Sequence, residues 1–214
     1  MDSVDTKFDK SKCKIYTCTF KDICHILEEF HYKKKHMGGG ISTCFAMTIE
    51  DELVGGSVLG LPRHVDKYPN CIDIRRMACT DSAPKNSESW FLSQIIKWVT
   101  CNTDYEGVLS YSDTTVGHKG TIYKAANFKQ IGETTPTKYV EWKGKVYHPR
   151  SLSIERPYSH ELRNAIKTGE AVVKTGLPKI IWMYPIIRKS FSRKKMIVGT
   201  YIEINPMSKD FFQF

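Results

Sequence analysis

Apolar positions recur along this chain with two periods, and the two alternate. Residues Lys12–Thr19 alternate loosely and are rich in β-formers, which predicts a first strand. Thr19 then stands where a helix N-cap belongs, ahead of Ile23, Ile26, Leu27 and Phe30 at helical i, i+3, i+4, i+7 spacing. Ser42–Glu50, a turn at Asp51-Glu52 and Leu53–Leu59 predict an antiparallel hairpin, and Ile72–Cys79 a further strand. Phe91, Leu92, Ile95, Ile96, Trp98 and Val99 mark an amphipathic helix. Val108–Ser112 reads as a strand, followed after a polar turn by a short helix that ends on Asn127-Phe128. Phe128–Glu133 and Tyr139–Trp142 read as a terminal β pair. Past Pro149 the pattern weakens to a short helix over Tyr158–Lys167, a short strand over Ile180–Pro185 and a basic, aromatic-interleaved run over Arg188–Lys195. The expected organisation is a core over residues 12–150 and a basic C-terminal extension over 151–214, packed on or flanking it.

Composition narrows the class. A chain of 214 residues can bury one sizeable core, and no apolar run approaches the roughly 18 residues that span a bilayer. Met1–Lys7 is polar and lacks the apolar stretch of a secretory signal, so a soluble cytoplasmic protein is expected. Seven cysteines make an odd count without a Cys-x-x-Cys pair, which points to buried, reduced thiols rather than a zinc ribbon or disulfide framework. The net charge is +9, and from Arg150 onward 12 Lys and Arg face 5 Asp and Glu, a net +7. Such asymmetry favours a polyanion, nucleic acid ahead of an acidic membrane surface, against the alternative of a solvated basic face.

Candidate chemistry gathers at Ser110-Tyr111-Ser112-Asp113 and Gly117-His118-Lys119-Gly120-Thr121-Ile122-Tyr123. Ligands of open α/β sheets sit at strand ends, and three groups able to move protons lie here. Asp113 suits proton acceptance or metal ligation, with an Asx turn as the alternative. His118 suits general-base work, or is a surface histidine. Tyr123 suits general acid or substrate-orienting work, or is a packing residue. No His-x-x-x-His or His-x-Glu spacing occurs, so a metal site would have to be assembled across loops, for example from His31, Asp113 and His118. Thr80–Trp90 precedes a helix: Asn86 or Ser87 can cap it, Lys85 can face a phosphate, and Lys85, Asn86, Ser87 and Ser89 are the candidate cofactor residues. Lys33, Lys34, Lys35, Arg150, Arg193 and Lys194 are candidate nucleic-acid contacts.

The order β, α, β, β, β, α, β, α, β, β resembles the GNAT acyltransferase fold, a mixed α/β fold with a mostly antiparallel central sheet flanked by helices. Tyr123-Lys124-Ala125-Ala126-Asn127-Phe128 keeps the spacing of that family's Tyr-x-x-x-Gly-Phe ending, with Asn in place of Gly. In that family the tyrosine often acts as general acid toward a departing thiolate. The loop at Thr80–Trp90 lacks the glycines of the family's Gln/Arg-x-x-Gly-x-Gly/Ala signature, so a cofactor there is not expected to bind as in ordinary acetyltransferases.

Four ordered blocks carry a closer resemblance, to the GNAT-like Mom family of phage DNA-modification proteins. They are His31-Tyr32, Ala83–Leu92, Ser110–Asp113 with Gly117–Tyr123, and Gly132-Glu133-Thr134 with His148–Leu152. The resemblance implies conversion of the adenine amine in phage DNA to a methylcarbamoyl-type derivative that shields it from host restriction, in the bacterial cytoplasm. It implies functional roles for His31, Tyr32 and Asp113, and leaves two routes open, one through acyl-CoA (acetyl-CoA) and one through iron. Base flipping or major-groove access would expose the amine, and Tyr32, Tyr111 or Trp142 could stack the base. Two alternatives stay open: a GNAT-like acyltransferase for another amine acceptor, and a non-catalytic DNA-binding protein on a degenerate GNAT fold.

Overall fold

A computed structural model describes residues 8–32 and 40–188. Lys33, Lys34, Lys35, Arg193 and Lys194 lie outside the described residues. In chain order the elements are β1 (Cys13–Cys18), α1 (Phe20–Phe30), β2 (Ile41–Ile49), β3 (Glu52–Gly60), β4 (Cys71–Cys79), α2 (Ser87–Asn102), β5 (Gly107–Asp113) and α3 (Thr121–Ala125). Then come β6 (Lys129–Glu133), β7 (Lys138–Trp142), β8 (Lys145–Tyr147), α4 (Arg150–Ser153), α5 (Ser159–Thr168), β9 (Val172–Thr175) and β10 (Lys179–Pro185). A seven-stranded sheet runs in the order β1-β2-β3-β4-β5-β10-β6, and β8-β7-β9 form a second sheet. The chain divides into two compact units, Tyr111–Gly120 with Gln130–Ile181 in one and the remainder in the other.

Local chemistry sets the first unit's elements. Asp22 accepts hydrogen bonds from the Thr19 N–H (2.8 Å) and hydroxyl (2.7 Å), which closes the N-terminus of α1. Its buried stripe Ile23, Ile26 and Leu27 packs on Cys44, Ala46, Val58 and Ala78. Gly56 of β3 is needed there: a Cβ would meet Ile23 Cβ at 3.0 Å. Glu50 and Asp51 both take positive φ, as a two-residue hairpin turn demands. Phe45, one position from Cys44, points to the opposite face and meets Trp98 of α2 edge-on at 5.0 Å. Both faces of the sheet are thus covered, which is why β2 and β3 read as continuous apolar runs.

Two irregularities shape β4. Val58 pairs with Arg76 while Leu59 pairs with Ile74, so Arg75 is the extra residue of a bulge. The parallel pairing of β4 with β5 covers only Cys71, Ile72 and Asp73, opposite Gly107, Val108 and Leu109, although β4 runs on to Cys79. Ladder pairing between the two strands stops at Asp73.

In the second unit, Val140 and Trp142 of β7 pack with Leu162, Ala165 and Ala171. Lys143 (φ 48°) and Gly144 (φ 68°) make the tight β7–β8 turn. The expected pairing of Phe128–Glu133 with Tyr139–Trp142 does not form. β6 belongs to the large sheet, β7 pairs with β8 and β9, and Pro136 interrupts the chain between them. The short strand expected over Ile180–Pro185 forms as β10, between β5 and β6 in the large sheet. Among the described residues no helix is long and apolar enough to cross a membrane.

Candidate functional site

The Tyr-x-x-x-Asn-Phe spacing is a helix C-cap. Phe128 N–H donates to the Tyr123 carbonyl (2.9 Å) and Asn127 N–H to the Lys124 carbonyl (3.1 Å), with Asn127 left-handed at φ 63°. These are the two bonds of a Schellman motif, and the Tyr123 and Phe128 rings supply its apolar contact at 5.5 Å. Asn tolerates the left-handed conformation that glycine fills elsewhere. The motif fixes Tyr123 on both sides, because its ring also stacks near Trp182 at 6.0 Å.

The Tyr123 hydroxyl accepts a hydrogen bond from Ser110 Oγ at 2.8 Å, which leaves its own proton available to donate. Burial pushes its pKa up to about 12, and the charges of Asp73, Tyr32 and Glu88 add to the rise against the Ser110 hydrogen bond. A tyrosine so placed stays protonated at neutral pH, as a proton donor must. Tyr32 also lies within electrostatic reach of the buried Arg76, and its ring sits 4.5 Å from that of His31. Both follow directly on the C-terminus of α1.

Sequence reasoning missed Asp73. It is 3% exposed, and burial pushes its carboxyl up to about 7 against the pull of Arg75 and Arg63. Its Oδ1 has no hydrogen-bond partner among the described residues. The signal was legible: a lone carboxylate between Ile72 and Ile74 in an apolar strand.

The four candidate cofactor residues Lys85, Asn86, Ser87 and Ser89 all line one cavity of about 460 Å³, between the segment 79–89 and Thr121, Ile122 and Ala125 on or next to α3. Of the two expected N-cap residues the helix uses Asn86, in a left-handed conformation (φ 76°) and without the side-chain bond. The Ser87 and Ser89 hydroxyls donate to the carbonyls of Pro84 (2.6 Å) and Asn86 (3.0 Å). No side chain therefore takes the first-turn amides of this 16-residue helix, and Asn86 supplies the left-handed turn usually left to glycine. Lys85 brings one positive charge to the wall, while Asp81 and Glu88 bring two negative ones. The Ser87 N–H donates to the Pro84 carbonyl at 3.1 Å, so the amides left for a phosphate are those of Glu88 and Ser89. The cavity's volume suits the pyrophosphate end of an acyl-CoA, and the acidic pair weakens that fit.

In the second unit, Asp113 and His118 have different surroundings. Asp113 is 7% exposed, its Oδ2 lies 2.6 Å from Lys179 Nζ, and its Oδ1 accepts from the Thr115 N–H (3.2 Å) and hydroxyl. Burial alone would raise its pKa, but the Lys179 and Thr115 hydrogen bonds outweigh it and bring it down to about 2. The carboxylate forms the Asx-type cap of the 3-10 turn Thr114–Val116. His118 is exposed, its N–H bonded to the Asp113 carbonyl at 3.2 Å. Arg150 is exposed at the start of α4. Among the described residues no group of three His, Cys, Asp or Glu is arranged for a metal. All seven cysteines are free, and burial pushes the thiols of Cys18 and Cys79 up to about 12.

The Mom protein family profile matches residues 12–201. A methylcarbamoylase of Escherichia phage Mu, named mom, is 33% identical over 99 residues, 46% of this chain and 36% of that relative, so the match spans about a third of the relative's length. A Bacillus subtilis acetyltransferase solved in complex with CoA superimposes with a TM-score of 0.51 at 13% identity, over 82% of this chain and 100% of its own. The ribosomal-protein-S18-alanine N-acetyltransferase of Escherichia coli gives 0.51 at 9%, over 84% and 97%. A Staphylococcus aureus N-acetyltransferase gives 0.52 at 13%, over 82% and 99%. At these identities the likeness is one of fold, and with the profile covering most of its length the chain belongs to the Mom protein family, on a GNAT-type acetyltransferase fold.

Proposed function

We propose that this protein is a DNA-modifying transferase that converts the adenine amine to a methylcarbamoyl-type derivative in the bacterial host cytoplasm, protecting phage DNA from restriction. Membership of the Mom family and the phage Mu methylcarbamoylase support the reaction class. The observation that carries the reading is Tyr123, a protonated hydroxyl held by a Schellman cap and Ser110. It is positioned on α3, whose Ile122 and Ala125 line the cavity at the α2 N-terminus. An acyl-CoA bound there would supply the acyl carbon with a thiolate leaving group, and the nitrogen of the carbamoyl group would come from a separate donor. Lys85 and the first-turn amides of α2 hold its phosphates, and Tyr123 holds the proton that neutralises the departing sulfur. His31 and Tyr32 bind and stack the extruded adenine.

DNA is the partner that the charge favours. The second unit carries ten Lys and Arg against six Asp and Glu. Lys143 and Lys145 lie at and just after the tight β7–β8 turn, both exposed, and Arg150 follows at α4. Phosphate contacts of this kind position a protein on the duplex without reading sequence. The test is nucleoside mass spectrometry of DNA from bacteria expressing the protein or its Tyr123→Phe variant. A heavier adenosine in the first and its loss in the second support the reading. Unmodified adenosine in the first refutes it.

A further inference from the structure

We propose that the β7–β8 hairpin is a duplex-reading ribbon that enters the major groove of DNA, with Lys143 and Lys145 on phosphates and Val146 against thymine methyls. The inference rests on the reading of DNA as the substrate and concerns how the second unit holds it.

The tip of the hairpin is fixed. Lys143 (φ 48°) and Gly144 (φ 68°) are its two turn residues, and Lys145 pairs with Trp142 across them. Trp142 is buried, and Lys143 Nζ lies 4.2 Å from the centroid of its ring. Strand register sets the outward face. Val140 and Trp142 pack in the core of this unit, so Glu141 between them points away from it. Glu141 stands opposite Val146 of β8 and Val172 of β9, which therefore share its face. The two valines are 69% and 55% exposed. Lys174, two residues after Val172, closes an ion pair with Glu141.

That pair neutralises the single acid of residues 138–150. Lys138, Lys143, Lys145 and Arg150 of the same segment are exposed and make no ion pair among the described residues. Free cations at a rigid tip beside an exposed aliphatic pair suit a polyanion that also carries apolar groups. Single-stranded nucleic acid is held by stacking its bases on open aromatic rings. Here Trp142 is buried, Tyr147 lies against Trp142 and Tyr158, and Tyr139 meets His148 edge-on at 5.9 Å. A duplex minor groove, roughly 6 Å wide, is too narrow for two strands roughly 4.8 Å apart, whereas the major groove, roughly 12 Å wide, admits them. The apolar group on the major-groove floor is the thymine methyl, and the adenine amine opens into the same groove. The lysines thus hold any sequence, and Val146 gains burial only where a thymine lies beneath it.

Fluorescence anisotropy on the full chain tests this with three DNAs: a thymine-rich duplex, the same duplex with deoxyuridine in place of every thymine, and the thymine-rich strand alone. Deoxyuridine removes only the methyl group. Wild type is expected to bind the thymine duplex tightest, ahead of its deoxyuridine counterpart by roughly fourfold for each methyl buried. Val146→Ser is expected to bind the two duplexes alike, with the wild-type urea midpoint because Val146 is exposed. Equal wild-type affinity for the two duplexes overturns the proposal. So does a thymine preference retained by Val146→Ser, tighter binding of the single strand, or binding to phosphatidylglycerol vesicles in preference to DNA. Unmodified adenosine in cells expressing the wild type, with the thymine preference intact, refutes the modification reading and leaves the ribbon standing. Modified adenosine without the preference refutes the ribbon alone.

Discussion

Replacing Asp73 with Asn removes a charge that the fold holds at a cost, so the variant should gain stability above neutral pH. The carboxyl is 3% exposed, and its pKa rises from the ordinary 3.8 to about 7. At about 1.4 kcal/mol for each tenfold change in proton affinity, that rise corresponds to about 4 kcal/mol. The sign follows from proton binding. Between 3.8 and about 7 the folded protein keeps a proton that the unfolded chain has released, so wild-type stability falls as pH rises through this window. Asparagine carries no such dependence. The advantage of Asp73→Asn should therefore be greatest above pH 7, shrink through pH 6 and 5, and vanish below about 3.8. Urea unfolding of both proteins at pH 8.5, 6 and 5 measures it. Parallel pH profiles, or a variant less stable at pH 8.5, would mean that Asp73 is paired or hydrated in the native protein.

Tyr123→Phe keeps the ring between Phe128 and Trp182 but removes the hydroxyl, so adenosine modification should drop by about 10²–10⁴ with unfolding free energy changed by no more than about 1.5 kcal/mol; mass spectrometry and urea titration check the two halves. Lys179→Met strands the buried Asp113 carboxylate and should cost about 3 kcal/mol at pH 7, read by denaturant unfolding. In wild type the stabilisation from Asp113 is present above 3.8 and lost as pH falls toward about 2, so acid titration of Lys179→Met should show a flattened limb there. Glu88→Gln should tighten CoA binding several-fold and Lys85→Ala should weaken it by a similar factor, both by calorimetric titration. Lys143→Glu with Lys145→Glu should weaken duplex DNA binding uniformly across sequences and make the salt slope shallower, as measured by fluorescence anisotropy from 50 to 200 mM salt.

The elements that sequence periodicity revealed are those whose burial is local. The stripe of α1, the β2–β3 hairpin, β4, α2 and β5 each bury a face set by their own spacing, and each forms close to its expected bounds. The Tyr123-to-Phe128 spacing was equally legible, because a Schellman cap needs only six residues. What escaped depends on partners far along the chain. β10 is short and ambiguous alone, yet it is placed between β5 and β6 by contacts that no local pattern encodes. Asp113 stood out as a reactive carboxylate because Lys179, 66 positions later, was not visible as its partner. Asp73 escaped because it lies alone between Ile72 and Ile74 in a strand read only for its apolar pattern.

A covalent change to adenine in DNA is read in total DNA from bacteria expressing the wild type, digested to nucleosides and resolved by mass. That DNA should contain an adenosine heavier by the mass of the transferred methylcarbamoyl-type group, absent from cells expressing Tyr123→Phe at equal protein level. Adenosine of ordinary mass alone, from cells shown to contain the folded wild-type protein, would contradict it.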